Sequence, residues 1–188
     1  MIQTAQTTET LPHSLEEFID WEPNDGFKYE WNGGEIIKST RMKQEQYYIY
    51  DRLLDLFIDR GYKKSGTIIA EPDVHLSSIQ MRRPDIACFT KDQYEGGIVD
   101  KAAIPAFAIE IISNNDQINQ MEKKLTEYLI GGVQVVWVII PNNKIVYIHT
   151  NTTRREVKIC LGSDLCSAAP VLPDFEIRVD ELLMLPEA

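Results

Sequence analysis

The sequence has no apolar run that approaches the roughly 20 residues of a membrane-spanning helix. Its start, Met1 to Thr10, lacks the basic and apolar regions of a secretory signal. Cysteine is scarce, and Cys88, Cys160 and Cys166 have neither close pairing nor metal-ligand spacing, which fits free thiols in a reducing compartment. We therefore expect a cytoplasmic protein with no membrane partner.

Basic residues are also few. The chain has 19 Lys and Arg against 29 Asp and Glu, which gives a net charge of −10 and a pI near 4.8. Non-specific binding to nucleic acid draws on many Lys and Arg contacts to phosphate, so this balance argues against a protein that coats nucleic acid. It still allows a carboxylate-based metal site with a local basic patch.

Several catalytic signatures are missing. There is no glycine-rich phosphate loop followed by Lys and Ser or Thr, no dinucleotide-binding fingerprint and no nucleophile elbow. The three histidines, His13, His75 and His149, are scattered along the chain, so they indicate neither a zinc site nor a catalytic triad. Carboxylates are the residues left to carry chemistry.

The composition that is present predicts one globular domain. The chain of 188 residues is 44% apolar and 26% charged, which is typical of a folded protein of this size. Residues 1–12 have the composition of a flexible tail, and we expect a single domain over 13–188. A short helix to about Trp21, capped by Ser14 and Glu17, begins the domain.

A β-hairpin and two longer helices are predicted next. The hairpin turns at Asn32-Gly33-Gly34 and carries Glu30 in its first strand. The helices cover about 43–60, which ends at Gly61, and about 117–130. Their expected apolar faces consist of Tyr47, Tyr50, Leu53, Leu54, Phe57 and Ile58 in the first helix and of Ile118, Met121, Leu125, Tyr128 and Leu129 in the second.

The strand pattern predicts an α/β fold. Segments 106–112 and 135–140 are apolar on both faces and flank the second helix, so they form a β-helix-β crossover with parallel, covered neighbours. We therefore predict a central mixed β-sheet flanked by helices, preceded by the N-terminal helix and hairpin. The other expected strands are 67–70, 74–76 and 85–90, with edge strands at 144–150 and 156–161 and a closing segment to Leu183.

Two carboxylates lie on these strands. Glu110 is inside the apolar segment 106–112, where an ionised carboxylate is costly unless a metal ion or another partner pairs with it. Asp85 opens another apolar strand directly after a proline, and a hard cation such as Mg²⁺ accepts two carboxylates with a backbone carbonyl. The alternatives are a solvent-facing or ion-paired Glu110, and an Asp85 that caps its strand or pairs with Arg82 or Arg83.

The second helix presents two adjacent lysines in different directions. At about 100° per residue, Lys124 lies about a quarter turn from the centre of the apolar face, whereas Lys123 points nearly opposite to it. Lys124 can therefore lean over the edge of the sheet, where an ammonium group can orient a metal-bound water or stabilise phosphate charge. The alternative for Lys124 is a boundary residue whose stem covers apolar surface, and Lys123 is expected to be solvated.

Together these residues resemble the Uma-type family of restriction endonucleases, a bacterial group within the PD-(D/E)XK nuclease superfamily. The resemblance covers nearly the whole chain and implies a restriction-endonuclease-like core. In the superfamily the lysine usually lies two residues after the strand glutamate, where this chain has Ile112, and Lys124 matches the helix position to which this family has moved it. The matching stretches are Tyr29-Glu30 with Gly34-Glu35, Arg83-Pro84-Asp85, Ile109 to Ser113, Lys124-Leu125 with Tyr128, and Gly132-Val133 with Trp137 and Pro141.

The resemblance implies an endonuclease that hydrolyses phosphodiester bonds in nucleic acid, DNA foremost, with Mg²⁺ or alternatively Mn²⁺. Asp85 and Glu110 would be metal ligands with the Ile111 carbonyl, and Lys124 the charged catalytic partner. Glu30 is a candidate additional acid, although it could merely pair with Lys28 or Lys38. A homodimer is left open.

Two positions depart from the family pattern. Gln46 stands where members often carry a histidine, and Gln120 stands where many carry an acid, although Asp116 is nearby. These changes and the acidic charge favour a second hypothesis, which is an inactive binding or regulatory module with the same fold. Convergence of the site residues on one cleft with a positive rim would favour the enzyme, and their divergence the module.

Overall fold

The computed structural model describes residues 11–21, 23–95, 98–112, 118–151 and 155–185. Most of the expected tail, and Gln117 at the expected start of the second long helix, lie outside these ranges. The helices are α1 (Leu15–Ile19), α2 (Gln44–Asp59), α3 (Ile118–Gly131) and α4 (Val179–Leu182). The strands are β1 (Phe27–Asn32), β2 (Glu35–Thr40), β3 (Gly66–Ala70), β4 (Val74–Ser77), β5 (Gln80–Arg82), β6 (Ile86–Thr90), β7 (Tyr94–Glu95), β8 (Ile98–Val99), β9 (Phe107–Ile111), β10 (Val135–Ile140), β11 (Ile145–Asn151), β12 (Arg155–Leu161), β13 (Leu165–Ala168) and β14 (Leu172–Arg178).

Six strands form a central mixed sheet in the order β12-β11-β10-β9-β6-β3. β9 and β10 are parallel and are joined through α3, whereas the other neighbouring pairs are antiparallel. The predicted crossover and the predicted mixed sheet are thus confirmed. Two-sided burial explains why β10, and β9 apart from Glu110, consist of apolar residues, since each strand has a hydrophobic core on both faces.

The two faces of this sheet are covered by different helices. α2 packs on one face with Ile49, Leu53 and Phe57, which are spaced by four residues and buried. The predicted face of α2 was wrong at its margins, because Tyr47 and Ile58 are 47% and 48% exposed. α3 covers the other face, and its buried apolar residues Leu125, Tyr128 and Leu129 belong to the predicted face.

The C-terminal third differs from the prediction in two respects. β11 is not an edge strand, because it pairs with β10 on one side and β12 on the other and buries Val146 and Ile148. The closing segment forms a separate two-stranded sheet, β13-β14, followed by α4. Phe175, Ile177 and Leu182 of this segment are buried in the core on the α2 side. The closing segment therefore completes that core.

A second, four-stranded sheet in the order β2-β1-β5-β4 contains the predicted hairpin. β5 is a three-residue strand that the sequence pattern did not indicate. It pairs with β1 of the hairpin, and the chain then continues from β5 towards β6. Phe18 of α1 packs against Trp31 and Met81 beneath this sheet. Within the described ranges, no helix is both long and apolar enough to cross a membrane.

Candidate active site

A cavity of about 150 Å³ opens between the hairpin, the start of β6, the end of β9 and α3. We call it the acid–lysine cavity. Glu30, Asp85, Glu110 and Lys124, which come from four separate segments of the chain, all line it and are all buried. The structure therefore brings together the four site residues expected from the sequence, together with Ile111.

Asp85 lies directly before β6 and is 5% exposed. Its Oδ1 accepts a hydrogen bond from Lys28 Nζ at 2.6 Å, and its Oδ2 accepts one from the Ile111 N–H at 2.7 Å. The alternative pairing of Asp85 with Arg82 or Arg83 is not the arrangement seen, since Arg82 binds Glu30 and Arg83 binds Asp73. Asp85 thus faces the cavity with a buried ammonium on one oxygen.

Glu110 lies on β9 and is 3% exposed. Its Oε1 accepts hydrogen bonds from Lys124 Nζ at 2.8 Å and from the Tyr128 hydroxyl at 2.7 Å. Burial raises the pKa of Glu110, the neighbouring carboxylates of Asp85 and Glu30 raise it further, and Lys124 and Lys28 oppose this shift. Uptake of a cation beside Glu110 would favour its ionised form.

Lys124 extends from α3 between two carboxylates. Its Nζ lies 2.7 Å from Glu30 Oε1 and 2.8 Å from Glu110 Oε1. Burial disfavours the charged ammonium, but the attraction of Glu110, Glu30 and Asp85 outweighs it and raises the pKa of Lys124. Lys124 is therefore a permanent cation at neutral pH. By contrast, the Lys123 side chain is 56% exposed and its Nζ lies 3.8 Å from Glu35.

Both carboxylate oxygens of Glu30 accept hydrogen bonds. Oε1 accepts from Lys124 Nζ and, at 2.8 Å, from the Arg83 N–H, and Oε2 accepts from Arg82 Nη1 at 3.0 Å. Burial opposes its ionisation, but Lys124 and Arg82 lower the pKa of Glu30 to about 2. The expected alternative of pairing with Lys28 or Lys38 is wrong, because those lysines bind Asp85 and Asp25. Glu30 positions Lys124.

Sequence reasoning missed two buried cations of this site. Lys28 is 4% exposed and Arg82 is 2% exposed. Arg82 joins Glu30 to Glu127 of α3, donating from Nε to Glu127 Oε2 at 2.8 Å and also from Nη2. Lys28 and Glu30 alternate with Tyr29 on β1, so both charges share one face of the strand. That alternation was the signal in the sequence that could have assigned Lys28 to the site.

The two positions that depart from the family pattern lie beside the cavity. Gln46 donates from Nε2 to the Ile111 carbonyl at 2.8 Å and accepts the Lys43 N–H at its Oε1. Gln120 is exposed and lines the cavity. Asp116 and Ser113 lie outside the described residues. Gln46 therefore already binds the carbonyl that the resemblance implied as a metal ligand.

The donor set of the cavity suits a hard cation. Asp85, Glu110 and the Ile111 carbonyl offer only oxygen, and Mg²⁺ keeps several waters when few protein ligands are present. In the described part of the chain, no group of three or more His, Cys, Asp or Glu side chains is arranged to hold a metal. A cation would therefore rest on two carboxylates, and the buried ammonium groups now balance their charge.

The described residues that line the cavity do not form the positive rim that would favour the enzyme. The exposed ionic side chains at the cavity are Lys123 and Glu35, which carry opposite charges. The remaining charged lining consists of Lys28, Arg82 and Lys124 against Glu30, Asp85 and Glu110. Attraction of a polyanion to this opening must depend on residues other than the described lining.

Comparisons with known proteins are consistent with the fold. A family model described as "Uma2: Putative restriction endonuclease" matches residues 15–180. A solved structure, a "putative nuclease belonging to DUF820" from Anabaena variabilis ATCC 29413, superposes with a TM-score of 0.76 at 18% identity and covers 92% of this chain and 98% of its own. At this identity, the likeness concerns the fold. Among curated proteins none matches the sequence.

Proposed function

The chain belongs to the Uma2 family, described as "Putative restriction endonuclease", and from that premise we propose that it is a metal-dependent endonuclease that hydrolyses phosphodiester bonds, DNA being the preferred substrate. The observation that carries the proposal is the convergence of Asp85, Glu110 and Lys124 on one cavity. Three distant segments supply these residues. Burying so many charges together is costly, which is typical of a functional site.

The acid pair provides the metal-binding part of the proposal. Asp85 and Glu110, with the Ile111 carbonyl, would hold Mg²⁺ or Mn²⁺, which when bound polarises a phosphate oxygen and activates water. Gln46 orients the Ile111 carbonyl through its hydrogen bond at 2.8 Å. The Ile111 N–H donates to Asp85, so this residue of β9 supplies one proposed donor and positions another.

Lys124 provides the cationic part. Glu30 and Glu110 hold its ammonium group at 2.7 and 2.8 Å, so the charge is fixed in place before substrate binds. A preorganised cation beside a phosphate stabilises the negative charge that develops during hydrolysis. The raised pKa of Lys124 keeps its proton in place at neutral pH beside the metal-free carboxylates. Its role is electrostatic.

We also propose a cytoplasmic location and a homodimer. The three free cysteines are buried, which suits a reducing compartment. An exposed apolar edge of the central sheet, formed by β12, supports the dimer. A phosphodiesterase that cuts both strands of a duplex commonly needs two sites, which one cavity per chain does not supply.

An inactive binding module is the second candidate, and one observation favours it. Lys28 and Lys124 already neutralise the acid pair, so the folded chain is electrostatically satisfied without a metal ion. The absence of a positive rim among the described residues points the same way. In this case the charges stabilise the packing of the hairpin on the central sheet.

Cleavage assays separate the two candidates. We expect the wild-type chain to cut duplex DNA in Mg²⁺ or Mn²⁺, to lose this activity in EDTA, and to lose it in Asp85→Asn, which keeps the shape of the side chain but removes a charged ligand. Single-stranded DNA and RNA are assayed in parallel to define the substrate. No cleavage of any substrate with either metal would contradict the enzyme and favour the module.

Lys28 gives a prediction of its own. Its ammonium competes with a cation for Asp85 Oδ1, and a hydrogen bond to a charged group contributes about 1.5–3 kcal/mol, so Lys28→Met is expected to bind Mn²⁺ about tenfold more tightly than wild type. The variant should also melt at a lower temperature in EDTA and recover with Mn²⁺, because Asp85 then lacks its partner. Titration calorimetry and thermal melts measure both effects.

Lys38→Met is the matched control, since Lys38 lies on the same hairpin but is exposed and pairs with Asp25. It should leave Mn²⁺ affinity unchanged. If Lys28→Met binds Mn²⁺ as weakly as wild type, Lys28 does not compete for Asp85.

A further inference from the structure

The edge strand β12 carries an exposed apolar stripe. Val157, Ile159 and Leu161 alternate along it and are 55%, 55% and 49% exposed. They lie on the same sheet face as His149, Tyr147 and Ile145 of β11, which are their paired residues. Tyr147 packs against the core beneath α3, so the stripe continues that face of the sheet beyond the helix. Large half-exposed side chains in a row mark a contact surface.

The backbone of β12 is open on the same side. In the described part of the chain β12 pairs only with β11, and it stands last in the order of the central sheet. An unpaired, apolar edge strand is a template for pairing with another strand. The opposite face of β12 is closed at Cys160, which is buried and accompanies the β13-β14 segment in the core, whereas Glu156 and Lys158 on that face are exposed. A partner would therefore approach along the edge and over the exposed stripe.

We propose that the β12 edge is a homodimer interface, at which β12 pairs antiparallel with β12 of a second copy and joins the two central sheets into one. This inference rests on the homodimer included in the proposed function and specifies where it forms. A two-fold axis makes both partners use the same surface, which an isologous dimer requires.

The charges of β12 select the register of this pairing. With the axis at Val157, Glu156 lies opposite Lys158 of the partner subunit, and Lys158 lies opposite the partner's Glu156. A two-fold axis at Lys158 would place Lys158 opposite the partner's Lys158, which repel each other. A two-fold axis at Ile159 would leave Glu156 without a charged residue opposite it. The Val157 register also places the two Val157 side chains opposite each other, next to Ile159. Lys158 Nζ now donates to the Leu165 carbonyl at 2.8 Å and has further protons to donate.

The test uses an engineered disulfide on the axis. The native cysteines Cys88, Cys160 and Cys166 are buried, so a cysteine introduced at Val157 is the thiol available to oxidants. We expect Val157→Cys to give a covalent dimer under mild oxidation, because paired Cα atoms across an antiparallel strand pair lie within disulfide range. Ile79→Cys, at an exposed residue in the turn between β4 and β5, should not cross-link.

Sedimentation velocity supplies the second readout. Wild type is expected to sediment as a dimer at micromolar concentration, Ile159→Asp as a monomer, and Ile79→Asp as a dimer, with circular dichroism to confirm that each is folded. A monomeric wild type, or a wild-type dimer that Ile159→Asp leaves intact, overturns the inference. A dimer formed through β12 that cleaves no substrate overturns the proposed nuclease function and leaves the interface intact. Cleavage by a monomeric wild type overturns the interface and leaves the nuclease function intact.

Discussion

Lys124→Ala is expected to lower metal-dependent cleavage by about a hundredfold to a thousandfold, whereas Lys123→Ala should retain nearly full activity. The loss of one fixed charge next to the reacting group has effects of this size. The two lysines are neighbours on α3, but Lys124 contacts Glu30 and Glu110, and Lys123 lies in solvent. The comparison controls for net charge, because general attraction for nucleic acid falls equally in both variants. Initial rates on DNA with Mg²⁺ and with Mn²⁺ measure the difference.

The fold must be checked in this comparison. Lys124→Ala leaves two buried carboxylates with one partner fewer, which can cost about 3–5 kcal/mol. Lys124→Gln removes the charge and keeps a hydrogen-bond donor on a side chain that is one methylene shorter, so it should be less destabilised than Lys124→Ala and equally inactive. Urea unfolding monitors the stability of all three variants. Equal loss of activity in Lys124→Ala and Lys123→Ala would show that Lys124 has no special role.

Glu30→Gln is expected to lower the free energy of unfolding at pH 7 by about 3 kcal/mol. The pKa of Glu30 falls from 4.5 to about 2 in the folded chain, and each unit corresponds to about 1.4 kcal/mol. Because the folded pKa is the lower one, the stabilisation is present above pH 4.5 and is lost as the pH falls towards 2. The difference between variant and wild type should therefore shrink in acid. Urea titrations across this pH range measure it.

Glu35→Gln is the control for this effect. Glu35 lies on the paired strand and makes one long, exposed ion pair with Lys123, so the change should alter stability by less than about 0.5 kcal/mol. If Glu30→Gln is no more destabilised than Glu35→Gln, Glu30 does not hold the network that positions Lys124.

Local patterns sufficed to predict most of the central sheet. The segments that became β9 and β10 are apolar on both faces and flank an amphipathic helix, which admits few arrangements other than a covered parallel pair. β5 could not be predicted in this way, because three residues carry too little periodicity. The β13-β14 hairpin was also missed, since its burial depends on the distant α2 and β10.

The residues of the candidate site were predictable where the position of a residue along a strand or a helix indicates by itself which way its side chain faces. Glu110 in a buried strand and Lys124 on the flank of α3 follow from spacing, and Asp85 from its place before a strand. The salt bridges of Lys28 and Arg82 depend on the hairpin packing against β6 and α3, which no local pattern contains. Those bridges change the interpretation of Glu30, since three donors make it a positioning residue.

Metal binding by the acid pair is the central claim, and titration calorimetry with Mn²⁺ tests it most directly. The measurement compares wild type with Glu110→Gln and with Glu35→Gln, an equal charge change on an exposed residue of the same cavity. The raised pKa of Glu110 means that its ionised form costs stability at neutral pH, so Glu110→Gln should remain folded without metal. The account predicts at least tenfold weaker binding by Glu110→Gln and wild-type affinity for Glu35→Gln. Equal affinity in all three proteins would contradict it.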